Sequence, residues 1–420
     1  MILQMRWIRI YNEFYSVRSR KTSVVKQWVR WLMMGGVWTL LQACGGQAPT
    51  SDNAAPLSEA ASLGQVIFHD EALSASGQMS CATCHDPTRG HASPFDSPVA
   101  FGGPLFQKDQ ALTDKRAEVS GMRLPPAIRY LKFNTAFQLD TDGTPMGGFF
   151  WDGRANSLAE QARKPFLGAN EMANASAQSV IDKLRNRPYA KRFQQVFGAG
   201  IFNDAEVALD RVAFALERYQ MEDADFASFT SKFDAVNAGQ ATFTAQELRG
   251  LTWFNRADKG NCTACHPSTK PGNAPAALFT DFTYDSLGVA RNADIAANVP
   301  GFYDLGLCGP MRVDLMARQD LCGKFKVPSL RNVALRKRFF HNGQFDNLRE
   351  VVRFYVTRDI TPAAWYPADT YDDLPANLRG NVNVTEGPYN RLPTLPPALT
   401  DAQIDDLVTF LKTLTDGYRP

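Results

Sequence analysis

The chain has 420 residues, with 45 Lys or Arg against 43 Asp or Glu, so its formal net charge at neutral pH is only +2. This balance gives no electrostatic basis for nucleic acid as a partner. Hydrophobic residues make up 44% of the chain, which is enough for a full core. The length indicates roughly two domains once an N-terminal export segment is set aside.

The N-terminus has the pattern of an export signal. A basic stretch precedes the apolar run 31–41, which is too short to span a membrane. The run leads to Cys44 in a sequence that resembles a lipoprotein cleavage site, although Gln42 is unusual at its position. We expect a signal peptide at 1–43, a lipid on Cys44 and a tether at 44–56. An ordinary signal peptide cut nearby is the alternative. The predicted location is the periplasm, with a membrane contacted only through the lipid.

Helical patterns alternate with Pro- and Gly-rich loops along the rest of the chain. Two helices begin with capping boxes, one formed by Thr244 and Glu247 and the other by Thr400 and Gln403. The predicted helices are 57–68, 203–219 behind an Asn cap, 244–256 and 400–414, and long loops are predicted at 94–104 and 267–275.

The pattern Cys-x-x-Cys-His occurs twice, at 81–85 and at 262–266. Two thiols at this spacing reach the two vinyl groups of one porphyrin, and the next histidine is delivered beneath the iron as its proximal ligand. The pattern therefore predicts two covalent c-type haems. The predicted attachment residues are Cys81, Cys84, Cys262 and Cys265, and the predicted iron ligands are His85 and His266. A zinc tetrathiolate is the alternative, and it leaves both histidines without a role.

The predicted architecture follows from these motifs. Each half of the chain carries one of them, so we expect two cytochrome c-like haem domains, at 57–225 and 226–420. The predicted fold class is mainly α, with helices and long loops around large flat cofactors and little sheet. Cys308 and Cys322 remain, and in an oxidising compartment we expect them to form one disulfide.

Several separated segments resemble one family, in the correct order. The run 149–154, Phe-Phe-Trp-Asp-Gly-Arg, is similar to the inter-haem region of bacterial dihaem cytochrome c peroxidases and of MauG. The runs 326–333 and 340–343 are similar to the second-domain signature of the same family. The resemblance covers nearly everything from about Leu57 onward. It implies a first haem that reacts with hydrogen peroxide, a second haem that exchanges electrons, and a tryptophan between them.

The resemblance assigns roles to three side chains between the motifs. Trp151 matches the relay tryptophan, with core packing as the alternative. Glu171 matches the distal acid that moves a proton between the two peroxide oxygens, with a solvated glutamate as the alternative. Gln161 matches a distal polar residue that orients peroxide or an iron-bound water, and an exposed helix position is the alternative.

The chain departs from ordinary members of this family at the axial ligands. The distal histidine of the peroxidases corresponds to about Phe101, and His91 is too close to His85 in sequence to reach the opposite haem face. We therefore expect an open first haem. Where the peroxidases place a methionine on the second haem, this chain has Tyr355, as MauG does. An anionic phenolate favours the higher oxidation states of iron. A core aromatic residue on an amphipathic helix is the alternative.

Calcium, which the family often holds between its haems, is uncertain from the sequence. The usual asparagine ligand is replaced in the run 123–126, Arg-Leu-Pro-Pro. The run 336–338, Arg-Lys-Arg, places positive side chains where small or apolar residues would flank carbonyl ligands. These cations either substitute for a metal ion electrostatically or point to solvent.

The N-terminus, the remaining cysteine pair and the tyrosine resemble most closely the MauG-like branch that includes MbnH. The resemblance implies an enzyme that uses hydrogen peroxide to oxidise a side chain, such as tryptophan, of a periplasmic or surface protein by long-range electron transfer through high-valent iron. One alternative is a cytochrome c peroxidase that takes electrons from a small cytochrome. The other is a dihaem electron carrier without peroxide chemistry.

Overall fold

The computed structural model describes residues 55–107 and 120–420, in which α-helices are joined by long loops and short 3-10 turns. The predicted signal peptide 1–43, the lipid on Cys44 and most of the tether lie outside the described residues. No helix in the described ranges is long and apolar enough to span a bilayer. The helices are α1 (Glu59–Phe68), α2 (Cys81–Cys84), α3 (Leu158–Arg163), α4 (Ala177–Arg185), α5 (Ala190–Phe197), α6 (Ala205–Glu222), α7 (Lys232–Asn237), α8 (Ala245–Asn255), α9 (Leu348–Thr357) and α10 (Asp401–Lys412).

The described residues contain two short antiparallel strand pairs. One joins β1 (Gln138–Leu139) to β2 (Pro145–Met146), and the other joins β3 (Tyr284–Asp285) to β4 (Phe325–Lys326). In each pair the first residue of the first strand lies opposite the last residue of its partner. This helical architecture with little sheet confirms the predicted fold class.

The predicted helices are present, with small shifts at their ends. Both capping boxes form, because the side chains of Thr244 and Thr400 each accept a hydrogen bond from the backbone N–H three residues later. α6 begins after Asp204 rather than after Asn203, which lies in the preceding 3-10 turn. The Asp204 carboxylate accepts from two backbone N–H groups, and its negative charge also suits a helix N-terminus.

The first half of the chain is built on a close contact between α1 and α6. A Cβ atom at Gly64 would lie 2.0 Å from the backbone oxygen of Ala215, so no larger residue fits without separating the helices. An apolar cluster spanning 63–226 surrounds this contact, and Cys81 and Cys84 pack at its edge. The helix pair therefore supports the first Cys-x-x-Cys-His motif.

The second half is built in the same way on α8 and α10. A Cβ atom at Gly250 would lie 2.1 Å from the backbone oxygen of Asp406. The surrounding apolar cluster spans 233–414, and Cys262 packs at its edge. The predicted domain boundary after residue 225 lies one residue before the end of the first cluster at Phe226, and it stays a prediction.

Candidate active site

A cavity lined mostly by the second half of the chain brings the second motif together with the predicted relay tryptophan and the predicted tyrosine ligand. Its empty space, including the open mouth, is about 1760 Å³. The residues that matter for cofactor binding in its wall are Cys262, Cys265, His266, Tyr355 and Trp151. A large cavity with two thiols and an imidazole in its wall suits a porphyrin attached through thioether bonds.

The His266 imidazole has the tautomer and the neutral charge that an iron ligand requires. Its Nδ1 lies 2.9 Å from the backbone oxygen of Phe279, so an Nδ1 proton is donated there and the Nε2 lone pair stays free. Burial lowers the pKa of His266 to about 4, which keeps the ring neutral at physiological pH. A neutral ring with a fixed tautomer is the form that binds metal.

The thiols of the second motif are held at the end of a tight turn. Asn261 adopts the left-handed conformation with φ 48°, and the next residues form the 3-10 turn Cys262–Ala264. Cys262 and Cys265 form no disulfide. Burial raises the pKa of both thiols to about 12, so they remain protonated.

Tyr355, on α9, lines the same cavity. Burial raises its pKa well above the usual value for tyrosine. Within the described chain its hydroxyl has no hydrogen-bonding partner, whereas the hydroxyl of the neighbouring Tyr389 donates to Asp285 at 2.8 Å. Buried polar groups are normally hydrogen-bonded, so the free phenol oxygen of Tyr355 suits contact with a group that is bound in the cavity.

Trp151 also borders this cavity, and its orientation is fixed at two points. Its indole Nε1 donates to the backbone oxygen of Leu124 at 2.7 Å. Its own backbone oxygen accepts from the backbone N–H of Lys326 at 2.9 Å. Only 8% of Trp151 is exposed, so the indole lies away from bulk water.

The turn that carries Trp151 is stabilised by a buried carboxylate. Asp152 is fully buried and accepts hydrogen bonds from Arg123 at 2.7 Å and Arg154 at 2.8 Å. Arg123 also binds Asp304 at 2.6 Å. Because these charges are paired inside the protein, removing one partner would leave another charge buried and unpaired. The network therefore holds the Trp151 turn against the second half of the chain.

The first motif presents the same ligand set on α2. Burial raises the pKa of Cys81 and Cys84 to about 12, and neither forms a disulfide. Burial lowers the pKa of His85 to about 4, so this ring is also neutral. The carbonyl groups of His91 and Pro126 lie beside the His85 ring and oppose this shift more weakly. His91 is thus on the His85 side of the site, with its own ring packed 4.2 Å from Phe226.

Glu171 lies close to the first motif. Its negative charge contributes to raising the pKa of Cys84, although burial has the larger effect. Burial also raises the pKa of Glu171 itself. The backbone oxygen of Glu171 accepts from Gly103, so its loop packs on the segment that follows the buried Phe101. Gln161 is half-buried on α3, and among the described residues no hydrogen bond joins its side chain to Glu171.

The chain matches a family model described as di-haem cytochrome c peroxidase over residues 58–242. It is 35% identical over 382 residues to the methylamine utilization protein MauG of Paracoccus denitrificans, and the match covers 89% of this chain and 93% of the relative. The chain belongs to the dihaem cytochrome c peroxidase and MauG family. It is therefore an oxidoreductase of the dihaem peroxidase type, and its family implies two haem groups.

Solved structures and other relatives agree with this family. The dihaem peroxidase BthA of Burkholderia thailandensis is 38% identical, with a TM-score of 0.78 and 87% of each chain covered. A MauG-like protein associated with microbial copper homeostasis is 24% identical, with a TM-score of 0.59 over 91% of this chain and 96% of the other, which shows a shared fold. A cytochrome c551 peroxidase of Nitrosomonas europaea is 28% identical over 84% of this chain and 87% of its own length.

In this dihaem peroxidase the two cysteine pairs do not share a metal site. Among residues 55–107 and 120–420, no three His, Cys, Asp or Glu side chains cluster in a way that could hold a metal ion. A zinc tetrathiolate would need all four thiols together. Each motif instead has its own surroundings, which suits one haem per motif.

Cys308 and Cys322 are joined in a disulfide. The loop that they close contains Arg312, whose guanidinium donates to the backbone oxygen of Asp152 at 3.0 Å. The disulfide loop thus contacts the turn that carries Trp151. The sequence analysis missed Asp304 and Arg312 as supports of this dihaem site, because charged residues so far from the motif carry no local signal of their burial.

Proposed function

We propose that this chain is an exported dihaem c-type oxidase that uses hydrogen peroxide to oxidise a side chain, such as tryptophan, of a periplasmic or surface protein. The observation that carries the proposal is the unpaired phenol of Tyr355 in the cavity of the second motif. An anionic oxygen ligand favours oxidised iron and disfavours reduction by an ordinary cytochrome. The membrane would be reached only through a lipid on Cys44.

The four motif thiols would hold the haems by thioether bonds, and His85 and His266 would be their proximal ligands. When bound, the two haem irons supply the redox chemistry that reduces hydrogen peroxide to water with electrons drawn from the partner. The neutral rings of both histidines are available for this role because burial keeps their pKa low. Tyr355 would be the second protein ligand at the His266 site.

Glu171 would handle the proton that peroxide cleavage requires. Burial raises its pKa, so its carboxyl group keeps a proton at a higher pH than an exposed glutamate does. A proton held near the first motif can be given to the departing oxygen of peroxide and recovered later. Gln161, which is half-buried on α3, would orient peroxide or an iron-bound water.

Trp151 would carry electrons between the two sites. Its indole is shielded from water, and its N–H donates to the Leu124 carbonyl oxygen at 2.7 Å. This hydrogen bond stabilises the ring as positive charge develops on it, because bonds from charged donors are stronger than neutral ones. The paired charges around Asp152 keep the indole in place during this transfer.

Co-expression with candidate partner proteins tests the proposal. We expect mass spectrometry to detect peroxide-dependent oxidation of one partner side chain, and we expect no oxidation with the matched variant that lacks Cys81 and Cys84. Rapid turnover of reduced cytochrome c with peroxide, with every partner unmodified, would instead support the cytochrome c peroxidase alternative. Failure to react with peroxide at all would leave the electron-carrier alternative.

A further inference from the structure

Arg336 is a half-buried cation with no acidic partner among the described residues. Its side chain lines the cavity of the second motif together with His266. Its Nη2 donates to the backbone oxygen of Ser329 at 2.5 Å, and its Nε is shielded from solvent without a hydrogen-bond acceptor. Within the described ranges of the chain, no carboxylate forms an ion pair with it.

Two other arginines with shielded side chains have their own carboxylates. Arg331 binds Asp234 at 2.7 Å, and Arg123 binds Asp152 and Asp304. Unlike Arg336, the two cationic residues that follow it in the sequence contact an acidic residue. Lys337 pairs with the exposed Asp96 at 2.9 Å, and Arg338 donates to the Asp96 backbone oxygen at 2.6 Å.

An unpaired guanidinium in such a place is energetically costly. Burial lowers the pKa of Arg336 to about 10, which still leaves it positively charged at neutral pH. Its charge also contributes to lowering the pKa of His266, although burial is the larger cause, so the two side chains lie within electrostatic range. The cavity therefore contains a positive charge for which residues 55–107 and 120–420 supply no anion.

We propose that Arg336 binds a propionate carboxylate of the haem attached to Cys262 and Cys265, and that its charge raises the reduction potential of this haem. The inference rests on the second haem of the proposed function. Haem carries two carboxylates, so it brings the missing anion into the cavity. The planar guanidinium matches a carboxylate, and the free Nε can donate to it.

This charge would offset part of the effect of Tyr355. An anionic phenolate stabilises ferric iron, whereas a cation at the propionate edge favours the added electron. The second haem would then be less difficult to reduce than the tyrosine ligand alone would make it. Arg336 is therefore assigned as a positioning and potential-setting residue, since it acts on the iron through the haem carboxylate.

The test compares Arg336→Met and Arg336→Lys with a charge-matched control, Arg318→Met. Arg318 is exposed and pairs with Asp320 at 2.7 Å. In spectroelectrochemical titrations of the purified dihaem protein, we expect Arg336→Met to disfavour reduction of the second haem about tenfold. This corresponds to a negative shift of about 59 mV for a one-electron couple. Arg336→Lys should recover most of the shift, and Arg318→Met should match the parent.

Resonance Raman spectra give a second measurement that needs neither turnover nor the Met variant. The propionate bending band of the second haem should differ between the parent and Arg336→Lys, because an ammonium group replaces the planar donor. An unchanged band, or equal midpoints in the parent and Arg336→Met, would overturn the proposal. Arg336 also borders a surface pocket, so a midpoint that follows chloride concentration would indicate a solvent anion instead and would equally overturn it.

Haem content separates this inference from the proposed function. A parent protein with a single haem would contradict both. Two haems with an unmoved midpoint in Arg336→Met would contradict only the role of Arg336. A shifted midpoint in a protein that oxidises no partner would support Arg336 and count against the proposed function.

Discussion

Tyr355 and Tyr389 line the same cavity, with ring centroids 6.2 Å apart, but they differ in one hydrogen bond. The Tyr389 hydroxyl is satisfied by Asp285, whereas that of Tyr355 has no partner in the described chain. Because the described residues leave only the Tyr355 hydroxyl without a partner, it is the one available to ligate iron, and the two tyrosines should respond differently to loss of the hydroxyl.

We expect Tyr355→Phe to convert the second haem from low-spin to high-spin, since phenylalanine cannot ligate iron. Electron paramagnetic resonance and absorption spectra of the ferric protein measure this change. The first haem should stay high-spin throughout, because it is expected to lack a distal protein ligand. The matched control is Tyr389→Phe, which should keep the low-spin signal. A low-spin signal that persists in Tyr355→Phe would remove Tyr355 from the ligand set.

Trp151 and Glu171 should act at different steps, so their variants should fail differently. Trp151→Phe should still react with peroxide at the first haem but lose charge sharing with the second, since phenylalanine is much harder to oxidise than indole. Stopped-flow absorption spectra follow both haems. The control is Trp253→Phe, whose indole N–H instead faces Asp406 at 3.4 Å. If the two haems still share charge in Trp151→Phe, the role of Trp151 is packing and not electron transfer.

Glu171→Gln should slow the reaction with peroxide by on the order of 10²–10⁴-fold, because glutamine cannot transfer the proton. The single-turnover rate at the first haem measures this step directly. Glu160→Gln provides the control, as the side chain of Glu160 on α3 is 40% exposed and pairs with Lys164 at 3.3 Å. A parental rate in Glu171→Gln would show that the buried carboxyl has no role in peroxide cleavage.

At the scale of elements, two helix pairs depend on glycine at their contact. Alanine would favour each helix by up to about 1 kcal/mol over glycine, but a Cβ at Gly64 or Gly250 would lie 2.0 or 2.1 Å from a backbone oxygen. Backbone atoms cannot move aside as a flexible side chain can, so the clash dominates. The predicted net effect is destabilisation by about 1–3 kcal/mol for either alanine variant.

Thermal denaturation of the dihaem protein measures this effect as a lower Tm for Gly64→Ala and Gly250→Ala. Gly272→Ala is the matched control, since an added Cβ there meets no atom within 4 Å. Haem content should be determined for each variant, because both helix pairs support a haem motif. Parental Tm values in both variants would show that the helices can separate without cost.

At the scale of the whole molecule, polar contacts connect the two halves of the chain. The Tyr130 hydroxyl donates to the Asp416 carboxylate at 2.8 Å, and Asn332 donates to the same carboxylate at 2.6 Å. Arg123 also donates a hydrogen bond to Asp304, which lies 181 positions later in the sequence. Because Arg123 also binds Asp152, it connects the turn that bears Trp151 to the second half of the chain, and long-range electron transfer requires such a fixed arrangement.

The whole chain should carry two covalent haems, one per motif. Intact mass of the purified parent is expected to show two haem additions. Replacing Cys81 and Cys84 by alanine should remove one, and replacing Cys262 and Cys265 should remove the other. A parent with one haem, or with zinc in place of haem, would contradict the assignment.

Local patterns in the sequence were sufficient for the haem motifs, the capping boxes and the helical fold class. They act within a few residues, so spacing and residue type determine them. The family resemblance added Trp151, Glu171, Gln161 and Tyr355 as candidates, whose catalytic and ligand roles stay predictions. The export signal and the lipid on Cys44 also stay predictions.

Tertiary structure alone decided which charges are paired. The run 336–338 left two possibilities for its cations, and the fold distinguishes these cations by their contacts. Arg123 meets two carboxylates, Lys337 and Arg338 contact Asp96, and Arg336 faces the cavity without an acid. Pairing and burial depend on elements that are distant in sequence and meet only in the folded chain. No local pattern records them, so Arg336 became a candidate only once its surroundings were known.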